Sequence, residues 1–189
     1  MSSQPAHYPN NANKWYAIKV RTSSEERIAV ALERKGYELF LPTYIESRRY
    51  SDRIKKVKSA LFPGYLFGRF DIHGRLPILQ SEGVERIVGV GQVAQPISDG
   101  EIQAIRTVDA SGINAEPWPY LRAGDRVMVQ FGALTGVSGE LVQCKANHRL
   151  VLSIHLLQRS ISVEMDRAWV RPLDTQVGVG QGLRMSAYG

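Results

Sequence analysis

Between Asp109 and Pro119 the chain changes character. The stretch DASGINAEPWP has no period, two prolines and small polar residues, and it reads as a linker. Before it, strand and helix patterns alternate. After it, only short strand-like runs recur, about ten residues apart and without a helical signal. A chain that stops making helices at a boundary folds as two units, and 189 residues suit two small domains.

In the first half, Lys14–Val20 is rich in aromatic and branched residues and predicts a strand. Ser23 with Glu26 offers a capping box, Ile28, Ala31 and Leu32 follow at helical spacing, and Gly36 closes the helix. Strands are predicted over 39–45, 54–61, 65–70 and 84–90, with a short helix over 75–80. Ser98 with Glu101 is a second capping box, opening a helix that runs to about Val108. The unit is therefore α+β, in the order β-α-β-β-β-α-β-α. In the second half, runs at 126–131, 139–145, 149–156, 161–165 and 169–170 argue for a small closed β-barrel. The expected division is a polar tail over 1–13, the α+β domain over 14–108, the linker over 109–119, the barrel over 120–173 and a Gly-rich tail over 174–189.

The net charge of +6 favours polyanionic partners, and its distribution says more than its size. Residues 48–58 hold six cations, Arg48, Arg49, Arg53, Lys55, Lys56 and Lys58, against the single acid Asp52. They read as a solvated, positive protrusion, the plain alternative being a solubilising loop. No apolar run approaches the roughly 20 residues of a spanning helix, and the polar start is not read as a secretory signal. Cys144, alone, reads as a free core thiol in a reducing cytoplasm.

Signs of catalysis are missing. His7, His73, His148 and His155 lie far apart and outside any metal-ligand spacing, so no metal or other cofactor is expected, and each reads as a surface histidine. Neither a phosphate loop nor a nucleophile elbow occurs. Gly89-Val90-Gly91-Gln92-Val93-Ala94 fits GxGxxA, but Pro96 interrupts where a helix N-terminus must meet a pyrophosphate, so these glycines read as a turn.

Leu61-Phe62-Pro63-Gly64-Tyr65-Leu66-Phe67 resembles the signature of the NusG N-terminal domain. Trp15-Tyr16, Leu41-Pro42-Thr43 and Pro96-Ile97-Ser98-Asp99 match the family in its order. Gly124-Asp125-Arg126-Val127 with Gly132, Gly136 and Gly139 resembles a KOW module, and the likeness covers about residues 14–173. It implies a ferredoxin-like antiparallel sheet flanked by helices, then an SH3-like barrel of five strands. It also implies a cytoplasmic, monomeric transcription elongation and antitermination factor rather than an enzyme, bound to RNA polymerase.

Carried over residue by residue, Phe62, Pro63, Tyr65 and Phe67 meet the polymerase clamp helices, with Lys19 nearby; on chemistry alone, Phe62 and Tyr65 suit the core equally well, and Phe67 and Lys19 suit a structural role equally well. Segment 48–58 falls where the family has a hairpin near upstream DNA. Arg21 and Arg27 fall where specialised members touch the non-template strand. The strand 152–160 matches the part that grips Rho or a ribosomal protein, with Leu156, Leu157 and Arg159 as candidates; of the adjacent leucines, one faces out and one is core. Leu157 replaces the family's usual aromatic. Ser51-Asp52-Arg53 and Arg149-Leu150-Val151-Leu152-Ser153-Ile154 resemble the operon-specific UpxY type more than general NusG. The His-Thr-Thr-Thr gate of RfaH is absent, Gly74-Arg75-Leu76-Pro77 standing about there, and the branched residues of the last domain favour a barrel over a helical switch. The alternatives are general NusG, a ribosome- or RNA-binding KOW protein, and an enzyme whose site assembles only in space.

Overall fold

The chain is described by a computed structural model covering residues 13–49, 53–118, 124–144 and 147–173. Strand β1 (Lys14–Val20) lies inside a four-stranded antiparallel sheet with β2 (Glu38–Phe40), β5 (Tyr65–Phe70) and β6 (Val84–Ile87), in the order β2-β5-β1-β6. Side chains alternate across a strand, so β1 feeds two apolar layers. Trp15 and Ala17 join Leu61, Phe62 and Phe67 in the layer that also holds Ile102, Ile105 and Val108 of helix α3 (Asp99–Ser111). Tyr16, Ile18 and Val20 join Ile28 and Leu32 of α1 (Glu25–Glu33) and Ile78 of α2 (Leu76–Leu79) in the other.

Strands β3 (Thr43–Arg49) and β4 (Ile54–Ala60) leave this sheet and pair only with each other. The predicted strand 39–45 is thus two strands, divided at Leu41-Pro42, where the ring of Pro42 removes a ladder donor. The predicted strand 84–90 is likewise divided. After β6, the pair β7 (Gly89–Val90) and β8 (Val93–Ala94) forms a hairpin; of the two GxGxxA glycines expected to form a turn, Gly91 does so at φ +60°, while Gly89 lies in β7 opposite Ala94.

The two capping boxes fare differently. Ser98 Oγ accepts from Glu101 N at 3.2 Å and a Glu101 carboxylate oxygen accepts from Ser98 N at 3.3 Å, which completes the box on α3. At α1 the expected box does not form: the helix begins at Glu25, the N-cap position belongs to Ser24 without a side-chain bond, and Ser23 stands outside at φ +66°.

Beyond α3 come β9 (Ala115–Trp118), β10 (Asp125–Val129), β11 (Ser138–Cys144), β12 (Asn147–Ile154), β13 (Arg159–Met165) and β14 (Val170–Pro172). They form one antiparallel sheet in the order β14-β10-β11-β12-β13-β9, whose buried Val127, Leu141, Leu150, Ile161 and Val163 belong to the same continuous cluster as Trp15, Phe62, Phe67 and the buried face of α3. The five expected strands thus gain a sixth. Segment 109–119, expected to be a linker, holds the end of α3 and β9, whose Pro117 sits opposite Ile161 on the sheet edge. An edge tolerates proline because one row of its N–H groups needs no partner. Cys144 closes β11 half-buried rather than in the core.

Candidate docking and nucleic-acid interfaces

The signature segment forms a tight turn between β4 and β5. Tyr65 N donates to Phe62 O at 3.0 Å, and Gly64 takes φ +80° after Pro63, the pattern of a type II turn. The turn splits its aromatics. Phe62 is buried with its ring edge-on to Phe67 at 5.3 Å, and Phe67 is itself fully buried beside Phe40. Pro63 is exposed and Tyr65 half-buried. Lys19 Nζ lies 4.7 Å from the Tyr65 ring centroid, a cation–π contact within its own domain. Of the five expected polymerase contacts, the structure therefore brings Pro63, Tyr65 and Lys19 together at the surface and places Phe62 and Phe67 in the core.

The β3–β4 hairpin carries the basic segment. Arg48 stands opposite Lys55, Ser47 opposite Lys56 and Ile45 opposite Lys58. Arg49, Arg53, Lys55 and Lys56 are exposed along the arm; Tyr50, Ser51 and Asp52 lie outside the described residues. Nearer the base, Glu46 accepts from Ser59 Oγ, Arg48 and, at 3.3 Å, Tyr44 Oη, and these bonds hold its carboxyl below the ordinary range. Between hairpin and α1 runs an open cleft of about 520 Å³. Arg27, Arg48, Lys58, Tyr44 and Pro63 line it, so the structure joins part of the basic segment to the start of α1. Arg27 also pairs with Glu82 at 3.4 Å, while Arg21 is exposed outside this cleft.

The third expected surface is not a strand. Residues His155–Leu157 form a 3-10 turn, closed by Gln158 at φ +49°, so the alternation expected of Leu156 and Leu157 does not apply; both are half-buried. Arg159 follows, exposed, as the first residue of β13. This surface faces the first domain. The Arg159 guanidinium lies 5.6 Å from the Tyr65 ring centroid. Glu101 Oε1, at the start of α3, accepts from His155 N at 3.0 Å and lies 2.7 Å from His155 Nδ1. Burial alone would raise the Glu101 carboxyl, but the bonds from His155 and Ser98 outweigh it and hold the pKa below its ordinary value. Beside this contact α3 and strands β10 to β12 enclose a cleft of about 780 Å³. His155 is thus exposed, as expected, but tied across the domains by a bond that no local pattern announces.

Among the described residues no three His, Cys, Asp or Glu side chains are grouped to hold a metal ion, and no helix is long and apolar enough to cross a membrane.

Known proteins resemble this arrangement. The family model "Transcription termination factor nusG" matches residues 13–106. The transcription termination/antitermination protein NusG of Thermus thermophilus is 25% identical over 174 residues, covering 81% of this chain and 95% of that protein. Its counterpart in Deinococcus radiodurans is 27% identical over 183 residues, covering 81% and 95%. A solved structure concerned with domain interaction in Thermotoga maritima NusG aligns with a TM-score of 0.51 at 19% identity, covering 86% of this chain and 98% of that one, a likeness of fold.

Proposed function

The chain belongs to the NusG family, and we propose that it is a transcription elongation and antitermination factor that docks on RNA polymerase through Pro63 and Tyr65. The observation that carries this reading is the turn itself: Pro63 is exposed and Tyr65 half-buried, while Phe62 and Phe67 are buried and anchor the same turn. An aromatic on a rigid mount is the kind of anchor that a partner's helices bind with little ordering cost. In this reading the partner is the clamp-helix pair of the largest polymerase subunit. The hairpin cations lie against upstream DNA, and Arg21 and Arg27 reach the non-template strand. The mechanism is binding: bridging the clamp disfavours the opened, paused enzyme.

The barrel surface of Leu156, Leu157 and Arg159 would recruit a second partner, Rho or a ribosomal protein. In the described conformation that surface and Tyr65 face one another. Polymerase docking therefore requires the two domains to part, and a partner on either side favours the parted state by its difference in affinity for the two states. The operon-specific role is part of this proposal. It is supported by the resemblance of the 51–53 and 149–154 segments to the UpxY type; general NusG is the second reading, supported by the NusG proteins that the chain resembles.

The test is binding of the full chain to core RNA polymerase, wild type against Tyr65→Ala. We expect tight wild-type binding weakened tenfold or more, about 1.4 kcal/mol. Absence of wild-type binding would sink the reading and bring forward an RNA-binding KOW protein, whose RNA affinity Tyr65→Ala would leave intact.

A further inference from the structure

Among the described residues Glu25 is the one charged residue that is buried, 7% exposed. An ionised carboxylate out of water needs compensating donors. It stands at the first position of α1, where helix N–H groups favour negative charge. Its Oε1 accepts a hydrogen bond from Gly64 N at 2.8 Å, 39 residues away in sequence. Gly64 O in turn accepts from Val20 N at 2.9 Å. Both polar backbone groups of Gly64 are thus tied to the β1–α1 junction, one to the strand end and one to the helix start. The fit is close: at φ +80°, a Cβ on residue 64 would come within 2.6 Å of Lys19 Nζ and 3.2 Å of Thr22 Oγ1.

We propose that Glu25 is a positioning residue for polymerase docking, which holds Gly64 and through it fixes how Pro63 and Tyr65 are presented. The proposal rests on the docking reading above. Without the carboxylate oxygen the buried Gly64 N–H has no partner, and the turn must shift to find one. A residue that serves only to charge the helix terminus has a different requirement, for negative charge and not for reach. Two conservative variants separate these roles. Glu25→Gln keeps an acceptor oxygen at the same reach and removes the charge. Glu25→Asp keeps the charge at the helix start and, one methylene shorter, withdraws the oxygen from Gly64.

The experiment measures amide hydrogen exchange at Gly64 and affinity for core RNA polymerase in the full chain, for wild type and both variants. The expected result is a reversal of the charge order. Glu25→Gln stays within about twofold of wild type in both readouts. Glu25→Asp exchanges Gly64 at least tenfold faster and binds polymerase at least fivefold more weakly. Glu25→Asp at wild-type affinity, or Glu25→Gln weaker than Glu25→Asp, would overturn the proposal while leaving the docking reading standing. No wild-type binding would remove the docking reading, and this proposal with it.

Discussion

The signature turn and the basic hairpin leave the same strand, β4, in opposite directions and are built on opposite terms. The turn sits on a packed layer: Phe62 and Phe67 are buried beneath it, and both polar backbone groups of Gly64 are bonded. The hairpin strands pair only with each other, and Arg49, Arg53, Lys55 and Lys56 are exposed along them. A surface of the first kind recognises shape, because displacement by an ångström breaks its fit. A surface of the second kind recognises charge, which acts over a Debye length of about 8–10 Å and tolerates movement. The turn is therefore expected to fail abruptly under substitution, and the hairpin by degrees.

The largest expected effect tests the foundation of the turn. Phe67→Ala opens a cavity in the layer under α3, and a buried Phe→Ala change costs about 3–5 kcal/mol. Tyr65→Ala, at a half-buried site, should cost no more than about 1 kcal/mol of folding stability. Denaturant unfolding of both variants checks the contrast. Equal costs would mean that Tyr65 is as much core as Phe67, and the division of the turn into anchor and contact would fall.

The hairpin should answer in salt dependence rather than stability. Replacing Lys55, Lys56 and Lys58 together by Gln removes three exposed cations and should change folding stability by less than about 0.5 kcal/mol. Binding to duplex DNA should weaken, with the slope of log affinity against log salt falling by about one for each phosphate that is no longer neutralised. Affinity for RNA polymerase without DNA should be kept. If polymerase affinity falls as well, the hairpin is a protein contact instead.

Sequence makes the first of these regions legible and the second nearly so, because both are local. Lys14–Val20 and Tyr65–Phe70 are bounded by their own apolar patterns, and Ser98 with Glu101 fixes the start of α3. The run at 48–58 is readable as a protrusion from charge density alone. What is not legible depends on distant partners. Ala115–Trp118 has no alternation and carries a proline, and it becomes a strand only because β13 offers it an edge. Ser23 has the right neighbours for a cap but the wrong backbone conformation. Glu25 looks like an ordinary first-turn acid until Gly64 is brought to it. The meeting of the two domains leaves one trace: Leu150, Val151 and Leu152 are consecutive apolar residues, and all three are buried. A strand that is apolar on successive residues is covered on both faces, and Val151 lines the cleft toward α3.

The smallest effect concerns that cover, which lies over the turn and leaves the outer hairpin free. Burial raises the Glu101 carboxyl, and the bonds from His155 and Ser98 hold it below its ordinary value of 4.5; of these, only the His155 bonds belong to the closed arrangement, and they favour the charged form. A group with a lowered pKa contributes above its ordinary value and loses that contribution as pH falls through the lowered one. The contribution of the His155–Glu101 bonds to closure should therefore be present above about pH 4.5 and be lost as pH falls below it. The loss should stay within about 1 kcal/mol, since the His155 side chain is 64% exposed and such pairs are screened. Paired spectroscopic labels on α3 and β12 would follow the distance between the domains as pH is lowered. The separation should grow in wild type and respond less in Glu101→Gln, which keeps the reach of the side chain but does not titrate. Duplex DNA binding through the hairpin should not follow Glu101→Gln at any pH. If it does, the two regions are coupled through the barrel, and the contrast between a covered surface and a free one no longer holds.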